Sequence, residues 1–227
     1  MNTMRFAFVL TVTAMPTQGL PPPMHVHAQG RVVYRIKEKK WIAEKNVQWT
    51  QGSNTIKADH AIFVMHPKTR AVQSIHATGH VTIHMDQGTA RCHALTYDGQ
   101  HKTIVLQGND AHNAVFATEK DTISSAQFKI FLQRGSQNDQ TRWRIDRIVS
   151  CHPVRLTSPD TQLMGNQGVY HHKKNTAFIK GNVRIMHNKN YIETDSVVID
   201  TKKKCYVIHD GHIQSLVDTK TEKKDKP

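Results

Sequence analysis

From about residue 31 to residue 217, apolar and polar positions alternate in short runs separated by turn residues, and no helical period is sustained. Ile75, Ala77, Gly79, Val81 and Ile83 share one parity, while His76, Thr78, His80, Thr82 and His84 share the other. Successive side chains of a strand point to opposite faces, so this segment predicts a strand of nine residues or more with its apolar side inward.

A more specific pattern recurs five times, with inward positions at 0, +2, +5 and +7. The sets are Ile56, Ala58, Ala61, Phe63; Ala90, Cys92, Leu95, Tyr97; and Ile123, Ser125, Phe128, Ile130. They continue with Leu163, Gly165, Gly168, Tyr170 and with Ile192, Thr194, Val197, Ile199. The +2 residue is small in every copy, and the parity breaks once between +2 and +5, as a β-bulge would break it. Each copy follows a strand that tends to open on Gly or Asn and then Val or Ile, as in Asn46-Val47, Gly79-His80-Val81, Gly181-Asn182-Val183 and Gly211-His212-Ile213. The intervals from Val47 through Val81, Ala111, Val154, Val183 and Ile213 are 34, 30, 43, 29 and 30 residues. The long third interval holds a polar insert, Gln133 to Arg142, expected as a loop. Turns are marked at Pro67-Lys68-Thr69, Asp86-Gln87-Gly88, Asp98-Gly99, Lys173-Lys174-Asn175 and Asn188-Lys189-Asn190. A period near 30 with two strands per repeat predicts a single stacked all-β domain of about 14 to 16 strands, because one repeat cannot bury its apolar face alone.

Before the repeats, Arg5 is the only charge ahead of an apolar stretch from Phe6 to Met15. A Pro-rich stretch (Pro21, Pro22, Pro23) then leads to Val26-His27-Ala28, with small residues suited to a signal peptidase. Residues 1–28 are therefore expected to be a signal peptide, residues 29–217 the β domain, and residues 218–227 a disordered basic tail. No apolar run reaches the roughly 20 residues of a spanning helix. The formal charge of +13 lies almost wholly in the body, since the leader contributes one arginine and no acid. Export separates such a basic chain from nucleic acid, and the aromatic content of 7% supplies no evident stacking platform for single strands.

The residues that carry the repeat also carry a likeness. Ile56-Lys57-Ala58-Asp59, Ile192-Glu193-Thr194-Asp195, Gly181-Asn182-Val183 and the link Ala77-Thr78-Gly79-His80-Val81 resemble the repeat of the OstA-like family over about residues 40 to 213. The chain departs from that pattern at Gly108-Asn109-Asp110, at His152 and in the long insert. The resemblance implies an open antiparallel β-jelly-roll, a V-shaped trough of about five two-strand repeats, in a periplasmic carrier of lipopolysaccharide. Acyl chains of lipid A would then lie against the inward residues Ile56, Phe63, Val81, Ile83, Leu95, Tyr97, Phe128, Ile130, Val183, Ile185, Ile192, Val197 and Ile199. It also implies head-to-tail self-association, and docking to an inner-membrane-anchored relative and an outer-membrane transport barrel. Two other readings stay open at this level: a membrane-anchored relative of the same system, and a periplasmic β-adaptor that binds no lipid.

The terminal strands, expected at Arg31 to Ile36 and Tyr206 to Val217, lack the proline or dense charge that blocks a sheet edge, which makes Val33, Ile36, Ile208 and Ile213 candidate docking residues. Sixteen histidines raise the question of a metal. His76, His80 and His84, however, fall on the solvent face about 13 Å apart at strand rise, too far for one ion. Cys92 occupies a small inward position and reads as a buried hydrophobe, and the pairing of Cys92, Cys151 and Cys205 is left open. With no Gly-x-Ser-x-Gly turn, no Cys/His/Asn arrangement and no recurring carboxylate pair, neither an enzyme nor a cofactor is expected.

Overall fold

The computed structural model describes residues 10–11, 24–66, 71–133, 144–187, 190–203 and 205–215. Most of the expected leader, the Pro67-Lys68-Thr69 turn, insert residues 134–143, Asn188-Lys189 and the tail lie outside the described residues. Every regular element among the described residues is a strand, as the alternation predicts.

The strands form one antiparallel network built from rungs stacked side by side. Seven rungs are long strands: β4 (Lys40–Gln51), β5 (Asn54–Met65), β6 (Val72–Met85), β7 (Gly88–Asp98), β16 (Thr176–His187), β17 (Asn190–Asp200) and β18 (Cys205–Ser215). Between these two groups the rungs are broken in half. The pairs are β8 (Thr103–Gln107) with β9 (Ala114–Ala117), β10 (Thr122–Ser125) with β11 (Gln127–Gln133), β12 (Arg144–Ser150) with β13 (Val154–Ser158), and β14 (Thr161–Gly165) with β15 (Gln167–His171). The first rung is also split, into β2 (Met24–His27) and β3 (Val32–Arg35), and β1 (Leu10–Thr11) pairs with β2.

Half of each rung belongs to one layer and half to the other. The upper layer pairs in the order β2–β4–β5–β6–β7–β9–β10–β13–β14–β16–β17–β18. The lower layer runs β3–β4–β5–β6–β7–β8–β11–β12–β15–β16–β17–β18. The result is an all-β, jelly-roll-like stack of repeated strand pairs. At about 4.8 Å between neighbouring strands it is roughly 50 Å long.

The long rungs cross between layers at a bend, where the register slips. β4, β6 and β16 each bend through two consecutive left-handed residues: Lys45 and Asn46 (φ 65° and 47°), Gly79 and His80 (75° and 44°), and Gly181 and Asn182 (78° and 49°). The facing strands shift register at the same place, between Lys57 and His60 in β5 and opposite Lys180 to Val183 in β17. The Asp of the Ala58-Asp59 motif fills the space beside the bend. A Cβ on Gly79 would lie 2.3 Å from Asp59 Oδ2, and His80 Nδ1 sits 2.8 Å from the same oxygen. Asn166 takes the equivalent place against Gly181 and donates its backbone N–H to the carbonyls of Lys180 (3.0 Å) and Gly181 (2.9 Å). The Gly/Asn-x-Val signal is therefore the bend itself, and the small +2 residue is what lets the layers fold together beside it.

The alternating segment Ile75 to Ile83, expected as a strand of nine residues or more, lies in the 14-residue strand β6, which bends at Gly79 and His80. Among the described residues the strands number eighteen rather than 14 to 16, because the middle rungs and the first rung are each broken in two. Met24–His27 pair with Gln48–Gln51, and Ala28 is buried.

Candidate functional site

Bends line one side of the stack and hairpin turns the other, so the interior has a closed spine and a mouth. Twelve of the thirteen predicted lining residues are buried between the layers, and Ile192 is half-buried and packed against them. Ile56, Val81, Ile83, Val183, Ile185 and Ile192 come from upper half-strands, and Phe63, Leu95, Tyr97, Phe128, Ile130, Val197 and Ile199 from lower ones. The same core holds Ile75 and Leu163 from the inward sets, and the structure adds Trp49, Ile104, Leu106 and Ile179. Trp49 stacks on Phe63 with ring centroids 6.4 Å apart. Its signal was the two-residue spacing from Val47, which lies outside the five-fold pattern.

This interior is one apolar body with few polar insertions. Ser125 and Ser150 are buried, with their hydroxyls 2.7 Å apart, and Ser150 donates to the His152 carbonyl at 2.9 Å, so Ser125 donates to Ser150. Phe128, Ile148, Leu156, Tyr170, Ala177 and Ile179 border a small apolar cavity of about 30 Å³, and around it the large core side chains, from Trp49 and Phe63 to Leu163, are fully buried and occupy the space between the layers. Polar contacts join the two sides of the mouth at Gln87 and at Tyr206. Gln87 Oε1, on an upper turn, accepts the backbone N–H of Ile145 in lower strand β12 at 2.9 Å. Tyr206, on lower strand β18, donates to Thr161 Oγ1 on upper strand β14 at 3.1 Å, and Thr161 is also 2.7 Å from His187 Nδ1.

The other candidates are dispersed. His76, His80 and His84 stand on the solvent face with separate partners: Thr96 at 3.3 Å, Asp59 at 2.8 Å and Thr89 at 3.1 Å. Burial pushes the Cys92 thiol up to about 12, which keeps it protonated and unreactive at neutral pH. Cys151 and Cys205 are exposed free thiols. At the stack ends, β3 pairs only with β4 and β18 only with β17 among the described residues. Val33 lies in β3, Ile36 is 69% exposed in the turn that follows, and Ile208 and Ile213 lie in β18. Glu44 N–H donates to Arg31 O at 3.0 Å, and antiparallel pairs alternate, so Val33 directs its N–H toward β4 while Val32 and Tyr34 direct theirs to the open edge.

Two layers around a continuous apolar interior, repeated rung by rung, define the class as a jelly-roll of OstA-like strand pairs. Residues 25–136 match the family model described as "LptA/(LptD N-terminal domain) LPS transport protein". That stretch, 112 of the 227 residues, is an LptA-family domain of periplasmic lipopolysaccharide transport, and the family is one of non-catalytic carriers. Membership implies interactions with lipopolysaccharide and with other components of the transport system. Among solved structures the chain is similar to LptH, the LptA-homologous periplasmic component of the lipopolysaccharide transport device of Pseudomonas aeruginosa. The identity is 12%, the alignment covers 86% of this chain and 87% of that one, and the TM-score is 0.24. At that score the family model alone carries the assignment. No curated protein matches.

Proposed function

We propose that the chain holds lipopolysaccharide by its acyl chains between the two layers and hands it along a bridge of similar modules. The observation that carries this reading is the unbroken apolar interior running the length of the stack with a row of turns along its mouth. Exposing an acyl chain of about a dozen carbons to water costs on the order of 10 kcal/mol, at about 0.8 kcal/mol per methylene. A carrier offsets that cost by lining, without chemistry, because the ligand leaves unchanged. Since side chains fill the interior, loading parts the layers at the mouth, where Gln87–Ile145 and Tyr206–Thr161 are the contacts to break. The spine of bends is the side that stays joined.

The filled interior also favours a second reading, an adaptor domain with a permanent core. Native mass spectrometry of the full chain isolated from the periplasm separates the two. The carrier reading predicts a lipopolysaccharide adduct, and a chain that stays free of lipid even after incubation with lipopolysaccharide overturns it. The same spectra report the mature N-terminus. Because Met24–His27 supply a strand, we place leader removal before Met24, and a start at Gln29 would overturn that placement.

The open edges of β3 and β18 supply the proposed end-to-end contacts, with the inner-membrane-anchored relative at the first and the outer-membrane barrel at the second, by family resemblance. Contacts between unlike edges do not close on themselves, so the chain should form oligomers of no fixed size. Val32→Pro removes an edge-facing N–H, whereas proline at Val33 would break the β3–β4 pairing. Val32→Pro and Ile208→Pro should each shift light scattering toward monomer while circular dichroism keeps the strand signal. A closed dimer unaffected by either change would contradict the bridge.

A further inference from the structure

The two rims of the mouth differ in charge. Described turns on the lower rim (residues 36–39, 99–102, 172–175 and 201–203) carry seven lysines against one acid, Glu38, which pairs with Arg35 at 3.3 Å. Those on the upper rim (52–53, 86–87, 118–121 and 159–160) carry Asp86, Glu119, Asp121 and Asp160 against Lys120. Two acids flank the lower turns and accept backbone N–H groups, as Asp121 on the upper rim accepts the Ser158 hydroxyl at 2.6 Å. Asp98 accepts the N–H groups of Gln100 and His101, and Asp200 accepts those of Lys202 and Lys203.

At one place the lower lysines converge. Thr201 donates its N–H and its hydroxyl to the Asn175 carbonyl, at 2.8 and 3.0 Å, which ties the 172–175 turn to the 201–203 turn. That contact sets Lys173 and Lys174 beside Lys202 and Lys203, all four exposed and without a carboxylate partner among the described residues. Below them lies Tyr170, whose hydroxyl is 3.5 Å from His172 Nδ1 at the start of the turn and whose ring borders the apolar cavity. A basic cluster thus sits on the rim beside Tyr170, which lines the apolar cavity, and the described turns of the opposite rim are acidic.

We infer that Lys173, Lys174, Lys202 and Lys203 form a headgroup site for an amphiphile bearing phosphate, and that the acidic upper rim excludes the same group, so the ligand enters in one orientation. Ammonium groups bind phosphate as point charges through charge-assisted hydrogen bonds, and exposed contacts of this kind are screened by salt. The inference rests on the carrier reading and adds to it where the anionic end lies.

The test titrates the full chain with fluorescent lipid A carrying its phosphates and with the same lipid dephosphorylated, at low and high salt. The phosphorylated form should bind about tenfold or more tightly at low salt, and the advantage should shrink at high salt. Replacing all four lysines with Gln should abolish the advantage and leave the dephosphorylated form unaffected, whereas Lys120→Gln should change neither. Equal affinity of the wild-type chain for both forms, or equal losses for both in the four-lysine variant, would overturn the headgroup site while the carrier reading stands. Displacement by millimolar inorganic phosphate would overturn it in favour of a free-phosphate site. Binding of neither form would overturn the carrier reading and the site together.

Discussion

Phe63→Ala is expected to lower the unfolding free energy by about 3–5 kcal/mol, a large part of the 5–15 kcal/mol typical of a domain. Phe63 is fully buried in the lower half of β5, stacked on Trp49 and paired with Trp41 and Ile75 on the neighbouring strands of its own layer. Neighbouring rungs are held by continuous ladders on both sides, so the backbone cannot collapse into the gap, and the loss combines the transfer and cavity terms. A shift in urea midpoint at unchanged m-value is the measurement. Saturating lipopolysaccharide at 100 times its dissociation constant should return about 2.7 kcal/mol, because a ligand held only by the folded state stabilises it. A loss below about 1 kcal/mol would mean that the interior at Phe63 is not packed as described.

Gly79→Ala should cost about 2–3 kcal/mol from two sources. The φ of 75° lies in the left-handed region, and the added Cβ would meet Asp59 at Oδ2 (2.3 Å) and at Cβ (2.8 Å). Gly181→Ala has the same backbone penalty at φ 78° but a milder contact with Asn166, 2.9 Å to Nδ2 and 3.0 Å to Cβ. The predicted order is therefore Gly79→Ala worse than Gly181→Ala, with Asp59→Gly relieving part of the first. Equal costs unaffected by Asp59→Gly would remove the Asp59 contact from the account.

Much of this was legible in the residues. The 0, +2, +5, +7 pattern reads the two faces of each rung, and all five sets fall inward, from Ile56–Phe63 to Ile192–Ile199. Alternation is local, and burial follows it because a one-residue slip would expose the whole apolar set. What the pattern could not carry was the partnering of distant segments. The Gln87 contact with Ile145 spans 58 residues, and the Thr161 contact with Tyr206 spans 45, with no periodic trace in either pair. The bend at Gly79 and His80 was hidden because Ala77 and Val81 keep the same parity across it. The pairing of Met24–His27 with Gln48–Gln51 is also a partnering of separate segments that local alternation does not carry. The charge contrast between the rims was likewise invisible until the topology assigned alternate turns to opposite layers.

The central claim is that acyl chains enter the space between the layers, and photocrosslinking tests it most directly. A photoreactive residue is placed at Phe63 or Ile185, both buried inside, or at His80, whose side chain is 92% exposed on the outer face, and each full-length chain is irradiated with lipopolysaccharide. The account predicts capture from Phe63 and Ile185 and none from His80. Equal capture from both faces, or capture from His80 alone, would contradict it.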